Sequence, residues 1–194
     1  PQLLEHSPIG RFVTVCGDGE YTIFTALAWR NKAFGAALGF AWAADSNTYA
    51  IRENSSTRVR VFKNFKEQSG LVPVNYVVED IAGGALLAVI GVGFVCFYDW
   101  TTGALVRRIN VEAKQIFWSQ TNELVAITTA DSFYVLRFHR AAYDEFAASG
   151  MPSDGDGFED AFEVLAEISE TVRNGRWTGE CFVYTHGANR LQNY

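Results

Sequence analysis

Asp154-Gly155-Asp156-Gly157 sets two carboxylates one residue apart between glycines, which is how an oxygen-ligand loop for calcium begins. The spacing then fails, because Phe158 occupies the next ligand position and the glycine arrives too early. A helix cap fits these residues better, with Asp156 accepting from the first turn and Glu159 reaching back in a capping box. His6, His139 and His186 stand apart from one another, each without a carboxylate or cysteine at metal-ligand spacing. They are read as structural or surface histidines.

Cys16, Cys96 and Cys181 are odd in number and far apart in the chain. That supports neither a disulfide framework nor a paired metal site, so the three are expected to be small buried residues in a reducing compartment. The Asn54-Ser55-Ser56 sequon would matter only in a secreted protein. Gly91-Val92-Gly93 lacks the third glycine of a dinucleotide fingerprint and reads as a hairpin turn. No serine sits in a nucleophile elbow, and no catalytic residues, cofactor or metal are assigned. Arg58, Arg60, Lys63 and Lys66 form the densest basic run, a solvated strand edge or else a contact for a partner or phospholipid.

The elements that carry these residues follow from one stretch. Ile81–Tyr98 has no charge and is long enough to cross a bilayer as a helix. Four glycines interrupt it, however, and its other residues are largely β-branched or aromatic, so two short strands about a glycine turn fit better. The same unit recurs. Phe12, Tyr49, Leu87 and Val125 begin matching strands at an almost constant interval. Phe24, Phe62, Tyr98 and Phe138 close the following strands at nearly the same interval. Trp42 and Trp118 mark a third phase, two such intervals apart. The interval is close to 40, and that period with several short strands per unit is the pattern of WD-type propeller blades. Asp99-Trp100 is the one clear WD-like dipeptide.

The fold expected is therefore all-β, a partial WD-type β-propeller of about four to five blades, each a four-stranded antiparallel sheet. Five units in place of the seven that commonly close a ring, in a chain starting at Pro1 rather than Met, make it an expected arc of a larger propeller. Residues 1–194 are taken as part of a single propeller domain. Such an arc would leave blade faces open and is expected to self-associate through them.

In chain order the strands are expected at 11–16, 20–25, 28–34, 38–42, 48–53, 57–63 and 105–111, besides the opening pair. The period breaks after Phe138, where an extra segment is inserted. Phe158, Ala161, Phe162, Leu165 and Ile168 recur at helical spacing, so a short acidic helical insert is expected over about 140–170, with an earlier helix near Ala141–Ala148.

Net charge is −6, too modest to indicate a nucleic-acid partner. Nine of the 22 acids lie between Asp144 and Glu170 with no Lys or Arg among them, leaving 13 acids against 16 bases elsewhere. That segment reads as a solvated face or a docking surface for a basic partner.

The segment CGDGEYTIFTALAWRNKAFGAALGFAWAADSNTYAIRE, followed by GFVCFYDW, GFEDAFEVL and GRWTGECFVY, resembles the coatomer beta-prime subunits, WD-repeat proteins of the COPI vesicle coat. The match runs in order over nearly the whole chain and corresponds to most of the second propeller. The resemblance implies a non-enzymatic scaffold in transport between Golgi and endoplasmic reticulum, cytoplasmic and peripheral on Golgi membranes. It implies other coatomer subunits as partners, the alpha subunit first, and an Arf-family GTPase and cargo tails through the whole coat. It assigns no cargo-binding residue, because sorting-signal recognition belongs mainly to the family's first propeller. The alternative is a propeller module that binds a peptide or sorting signal on a basic rim through Arg58 and Arg60.

Overall fold

A computed structural model describes residues 1–54, 57–187 and 190–194. Ser55 and Ser56 of the sequon lie outside the described residues. The first sheet is a meander of β1 (Leu3–His6), β2 (Phe12–Gly17), β3 (Glu20–Thr25) and β4 (Asn31–Ala36). The second repeats it with β5 (Gly39–Trp42), β6 (Thr48–Arg52), β7 (Val59–Lys63) and β8 (Lys66–Gln68). The third comprises β9 (Asp80–Ala82), β10 (Leu87–Gly91), β11 (Phe94–Tyr98) and β12 (Leu105–Ile109). In the fourth, β13 (Gln115–Trp118), β14 (Leu124–Thr128) and β15 (Phe133–Phe138) are followed by helix α1 (Arg140–Ser149) before β16 (Phe162–Ile168) completes the sheet. The fifth has three strands, β17 (Asn174–Thr178), β18 (Cys181–His186) and β19 (Arg190–Asn193). The all-β, blade-by-blade architecture expected from the period is the one observed, and the uncharged run from Ile81 to Tyr98 is β9, β10 and β11. Among the described residues no helix is long and apolar enough to cross a membrane.

Two compact units divide the chain, residues 1–92 with 98–104, and residues 93–97 with 105–194. In the first, alternate residues of β2, β3, β5 and β6 point into one aromatic core. Phe12, Tyr21, Ile23, Phe40, Trp42, Tyr49 and Phe62 are all buried there. Tyr49 stacks on Phe40 at 5.1 Å and on Phe62 at 4.9 Å. In the second, Leu124, Phe133, Val135, Trp177, Phe182 and Tyr184 form the corresponding layer. The indole N–H of Trp177 donates to the Phe117 carbonyl oxygen at 2.8 Å.

The repeat is also written in the backbone of the turns. Ser7, Ala43 and Ser119 each donate a backbone N–H five residues ahead, to Phe12, Thr48 and Leu124, at 2.9, 2.8 and 2.8 Å. Each also accepts from the residue three positions on, Gly10, Ser46 or Asn122, which takes a left-handed φ of 74, 55 or 62°. A small or amide-bearing residue occupies that left-handed position in all three turns, glycine and asparagine being the types that tolerate it best.

Two local expectations are corrected. Helix α1 forms where the earlier short helix was expected, and Gly150 ends it at φ 68°. The second helix does not form: Glu159–Ala161 is a single 3₁₀ turn and Phe162–Ile168 is strand. The cause is a bulge. Val164 pairs with Leu136 and Ala166 with Val135, so Leu165 has no partner and the side chains change face there. Phe162 then packs on Phe138, whereas Ala166 and Ile168 face the Phe133 layer, and the mixed spacing imitates a helical stripe. The capping box is likewise absent. Phe158 is extended with no side-chain cap, and Asp154 instead accepts the Asp156 N–H at 2.9 Å.

Candidate interaction surfaces

The basic run separates into two places once folded. Arg60 lies mid-strand in β7, where Glu67 of β8 takes its guanidinium from one side, at 2.8 Å to Nε and 2.5 Å to Nη2. Glu53 takes it from the other at 3.0 Å. The two carboxylates hold the Arg60 guanidinium more firmly protonated, and Arg60 in turn holds Glu67 below the usual carboxylate range. Arg58 sits 3.7 Å from Glu53. Both arginines of the expected rim are therefore engaged with glutamates of their own sheet. Lys63 and Lys66 are elsewhere. They pair across a tight turn in which Asn64 and Phe65 have φ 50 and 64°, and both are exposed.

That turn belongs to a second surface, which the sequence did not single out. The Asn64 N–H donates to the Asn47 carbonyl at 2.8 Å, Ile9 N–H donates to Ser46 Oγ at 3.0 Å, and Ala26 N–H donates to the Arg11 carbonyl at 3.0 Å. Four turns from the first two sheets, around residues 9, 27, 46 and 64, are thus joined at one end of the first unit. Lys32 lies over the Phe65 ring at 5.5 Å and Arg11 over Phe12 at 5.5 Å. The turn from Thr25 to Arg30 is closed by Trp29 N–H to Thr25 O at 3.0 Å, Thr25 N–H to Arg30 O at 2.9 Å and Arg30 N–H to Thr25 Oγ1 at 3.1 Å. It puts Trp29 at φ 50°, a left-handed conformation that a bulky residue adopts only under constraint. Leu27 is 100% exposed, Trp29 61% and Ile9 58%. Among the described residues Arg11, Arg30, Lys32, Lys63 and Lys66 make no ion pair. The acid of these turns, Asp45, spends its carboxylate on the N–H groups of Asn47 and Thr48.

The acidic insert faces inward as well as outward. Arg108 N–H donates to Asp156 O at 2.7 Å and Phe158 N–H to Val106 O at 2.8 Å, so residues 156–158 occupy the outer edge of β12. Arg107 stands 4.0 Å from Asp154 and Arg108 3.9 Å from Asp156. Phe146 of α1 stacks on Phe158 at 4.3 Å, tying the helix to the same segment. The Asp154 and Asp156 carboxylates are thus set against arginines. His139 Nε2 lies 3.4 Å from Glu163, and His186 Nδ1 lies 3.1 Å from the Thr171 carbonyl. His6 is exposed. Among the described residues no group of three His, Cys, Asp or Glu is placed to hold a metal ion. Cys16 and Cys96 are buried free thiols, and burial pushes the Cys16 thiol up; Cys181 is half-buried.

Against known proteins, residues 1–194 match the family model described as COPA/B second beta-propeller. The chain is 51% identical over 197 residues to coatomer subunit beta' of Rattus norvegicus and of Homo sapiens, covering 100% of this chain and 21% of each relative. It is 49% identical over 195 residues to coatomer subunit beta'-1 of Arabidopsis thaliana, again over 100% of this chain and 21% of the relative. The chain therefore spans about one fifth of the length of these curated relatives. Among solved structures it superposes on Kluyveromyces lactis Hsv2 with TM-score 0.66 at 13% identity, over 99% of this chain and 66% of that one. It superposes on a chain of the mitotic checkpoint complex with TM-score 0.65 at 14% identity, over 99% and 62%. Those two likenesses bear on the fold, and the meander sheets agree with them. With its whole length accounted for by the family model, the chain belongs to the COPA/B second beta-propeller family.

Proposed function

We propose that this chain is a non-enzymatic scaffold within a coatomer subunit, in a coat that carries protein between Golgi and endoplasmic reticulum. The supporting observation is the match of all 194 residues to the second-propeller family, together with relatives named coatomer subunit beta' at about half identity. In this reading residues 1–194 work as part of one propeller domain. The partners are other coatomer subunits, the alpha subunit foremost, with the Arf-family GTPase and cargo tails engaged by the complete coat on the cytoplasmic face of Golgi membranes.

The internal chemistry suits a rigid platform. Asp45, Asp99 and Ser119 spend their side-chain oxygens on the N–H groups of their own turns. The rival reading, in which Arg58 and Arg60 hold an acidic peptide, would first have to break the Arg60 contacts to Glu53 and Glu67.

The test is made in the full-length subunit with residues equivalent to 1–194 deleted or intact. Purification of the alpha subunit and coat assembly on Arf-loaded liposomes are followed. Loss of assembly on deletion supports the scaffold; assembly unchanged by the deletion refutes it. Saturable peptide binding abolished by Arg60→Ala would favour the rival.

A further inference from the structure

The end of the first unit formed by the turns at Ile9, Leu27, Ser46 and Asn64 joins two features that proteins usually keep apart. One is apolar exposure. Leu27 stands wholly in solvent at the tip of its turn, with Trp29 and Ile9 more than half exposed beside it. Scattered exposed leucines are ordinary, but three large apolar groups on hydrogen-bonded neighbouring turns are a patch. The other is uncompensated positive charge. Arg11, Arg30, Lys32, Lys63 and Lys66 surround the patch without ion-pair partners, and residues 6–17 and 21–44 contain no acid.

The shape of the patch narrows what it fits. A leucine with no covered surface projects from its turn rather than lining a groove, so a folded partner would need a pocket to receive it. A lipid surface needs none, since its headgroup region yields to a projecting side chain. Tryptophan favours the water–hydrocarbon boundary, where its ring is apolar and its N–H wet, and arginine and lysine around it face anionic headgroups. The constrained backbone at Trp29 adds to this, because the three hydrogen bonds that close its turn hold the indole and Leu27 out in advance.

We infer that this end of the first two sheets is a docking surface for an anionic lipid bilayer, with Leu27 and Trp29 entering the interface and Arg11, Arg30, Lys32, Lys63 and Lys66 lying against the headgroups. The inference rests on the first unit alone and does not depend on membership of a coat.

The experiment is co-flotation of the full-length protein with vesicles of phosphatidylcholine alone or with about 30 mol % phosphatidylserine, at low and high salt. Binding is expected to the anionic vesicles only, and to weaken with salt. Leu27→Asp should weaken it at least about tenfold. Arg30→Gln and Lys32→Gln should weaken it about fivefold each. Leu27→Trp should tighten it. Phe34→Asp, on the flank of the same sheet, should leave it unchanged. Leu27 makes no packing contact, so its replacement does not threaten the fold, and the tightening variant reads the same contact in the opposite direction. Equal binding by Leu27→Asp and wild type, equal binding to neutral vesicles, or no binding by the wild type would each overturn the inference. The last outcome, with the same residues shielded by a co-purifying protein, would instead mark a protein interface.

Discussion

The backbone N–H of Gly84 donates to the carbonyl oxygen of Trp42 at 3.1 Å, and Ala44 N–H returns a bond to the Gly84 carbonyl at 3.0 Å. The Trp100 indole N–H donates to that same Gly84 carbonyl at 3.0 Å, so the tryptophan of the WD-like dipeptide secures a main-chain link between the second and third sheets within the first unit. Such an approach requires the neighbouring residue to have no side chain. A Cβ on Gly83 would lie 1.9 Å from the Trp42 carbonyl oxygen. Gly83→Ala should therefore cost about 2–4 kcal/mol in denaturant unfolding. Gly155→Ala, where a Cβ meets nothing within 4 Å, should stay within about 0.5 kcal/mol. Equal behaviour of the two variants would contradict the link.

Glu5 gives a pH dependence with a definite sign. It pairs across β1 and β2 with Thr14, whose hydroxyl already accepts the Trp42 indole N–H at 2.9 Å, and burial pushes the Glu5 carboxyl up from 4.5 to about 7. Between those values the folded chain binds more protons than the unfolded chain. The contribution to stability is then complete below 4.5 and is lost as pH rises through about 7. Unfolding free energy should fall by roughly 1–3 kcal/mol from pH 5 to pH 8 on account of this group. Glu5→Gln should flatten that slope and be the more stable protein at pH 8. A variant whose slope matches the wild type would place the titration elsewhere.

The indole of Trp42 offers a sharper test of packing between the first two sheets. Thr14 is fully buried and Trp42 nearly so. Thr14→Val keeps the shape but leaves the indole N–H without an acceptor, at a cost of about 1–3 kcal/mol. Thr14→Ser, which retains the oxygen, should recover part of that loss in the same measurement.

The repeat was legible because each strand pair keeps its apolar positions at nearly constant intervals; Phe12, Tyr49, Leu87 and Val125 are all buried at the first or second position of a strand. What was not legible is what tertiary pairing decides. Phe162, Leu165 and Ile168 spell a helix locally, yet the open edge of β15 captures them as strand and expels Leu165 into a bulge. Arg58 and Arg60 read as one basic run with Lys63 and Lys66, but strand pairing brings Glu53 and Glu67 to the arginines and carries the lysines to the sheet end. The surface around Leu27 and Trp29 is assembled from turns scattered along the chain from Ile9 to Asn64, and no local pattern encodes it.

The insert protects an edge. Val106 and Arg108 direct their outer backbone groups at Phe158 and Asp156, so β12 does not present a bare edge there. Gly157 makes the approach possible. It sits at φ 93°, and a Cβ there would lie 2.4 Å from the Val106 carbonyl oxygen. Gly157→Val should unseat residues 156–158, speed exchange of the Arg108 amide by an order of magnitude or more, and raise light scattering. Unchanged protection at Arg108 would show that the insert does not hold that edge.

The first sheet has an outward face that its neighbour does not cover. Registers place Leu4, Val15, Thr22 and Phe34 in one row across β1 to β4, opposite the row of Leu3, Cys16, Tyr21 and Gly35 that packs on the second sheet. Leu4 is 66% and Phe34 76% exposed. Apolar side chains in a row on a sheet face favour pairing with a similar face, and burying two such groups is worth about 3–6 kcal/mol before association costs. The chain of 194 residues, expressed alone, should therefore show concentration-dependent association by light scattering. Leu4→Lys with Phe34→Lys, which sets like charges in that row, should return it to a monomer without lowering its unfolding midpoint. A monodisperse wild-type chain at high concentration would mean that this face is not adhesive, and association that survives the double substitution would move the contact to another edge.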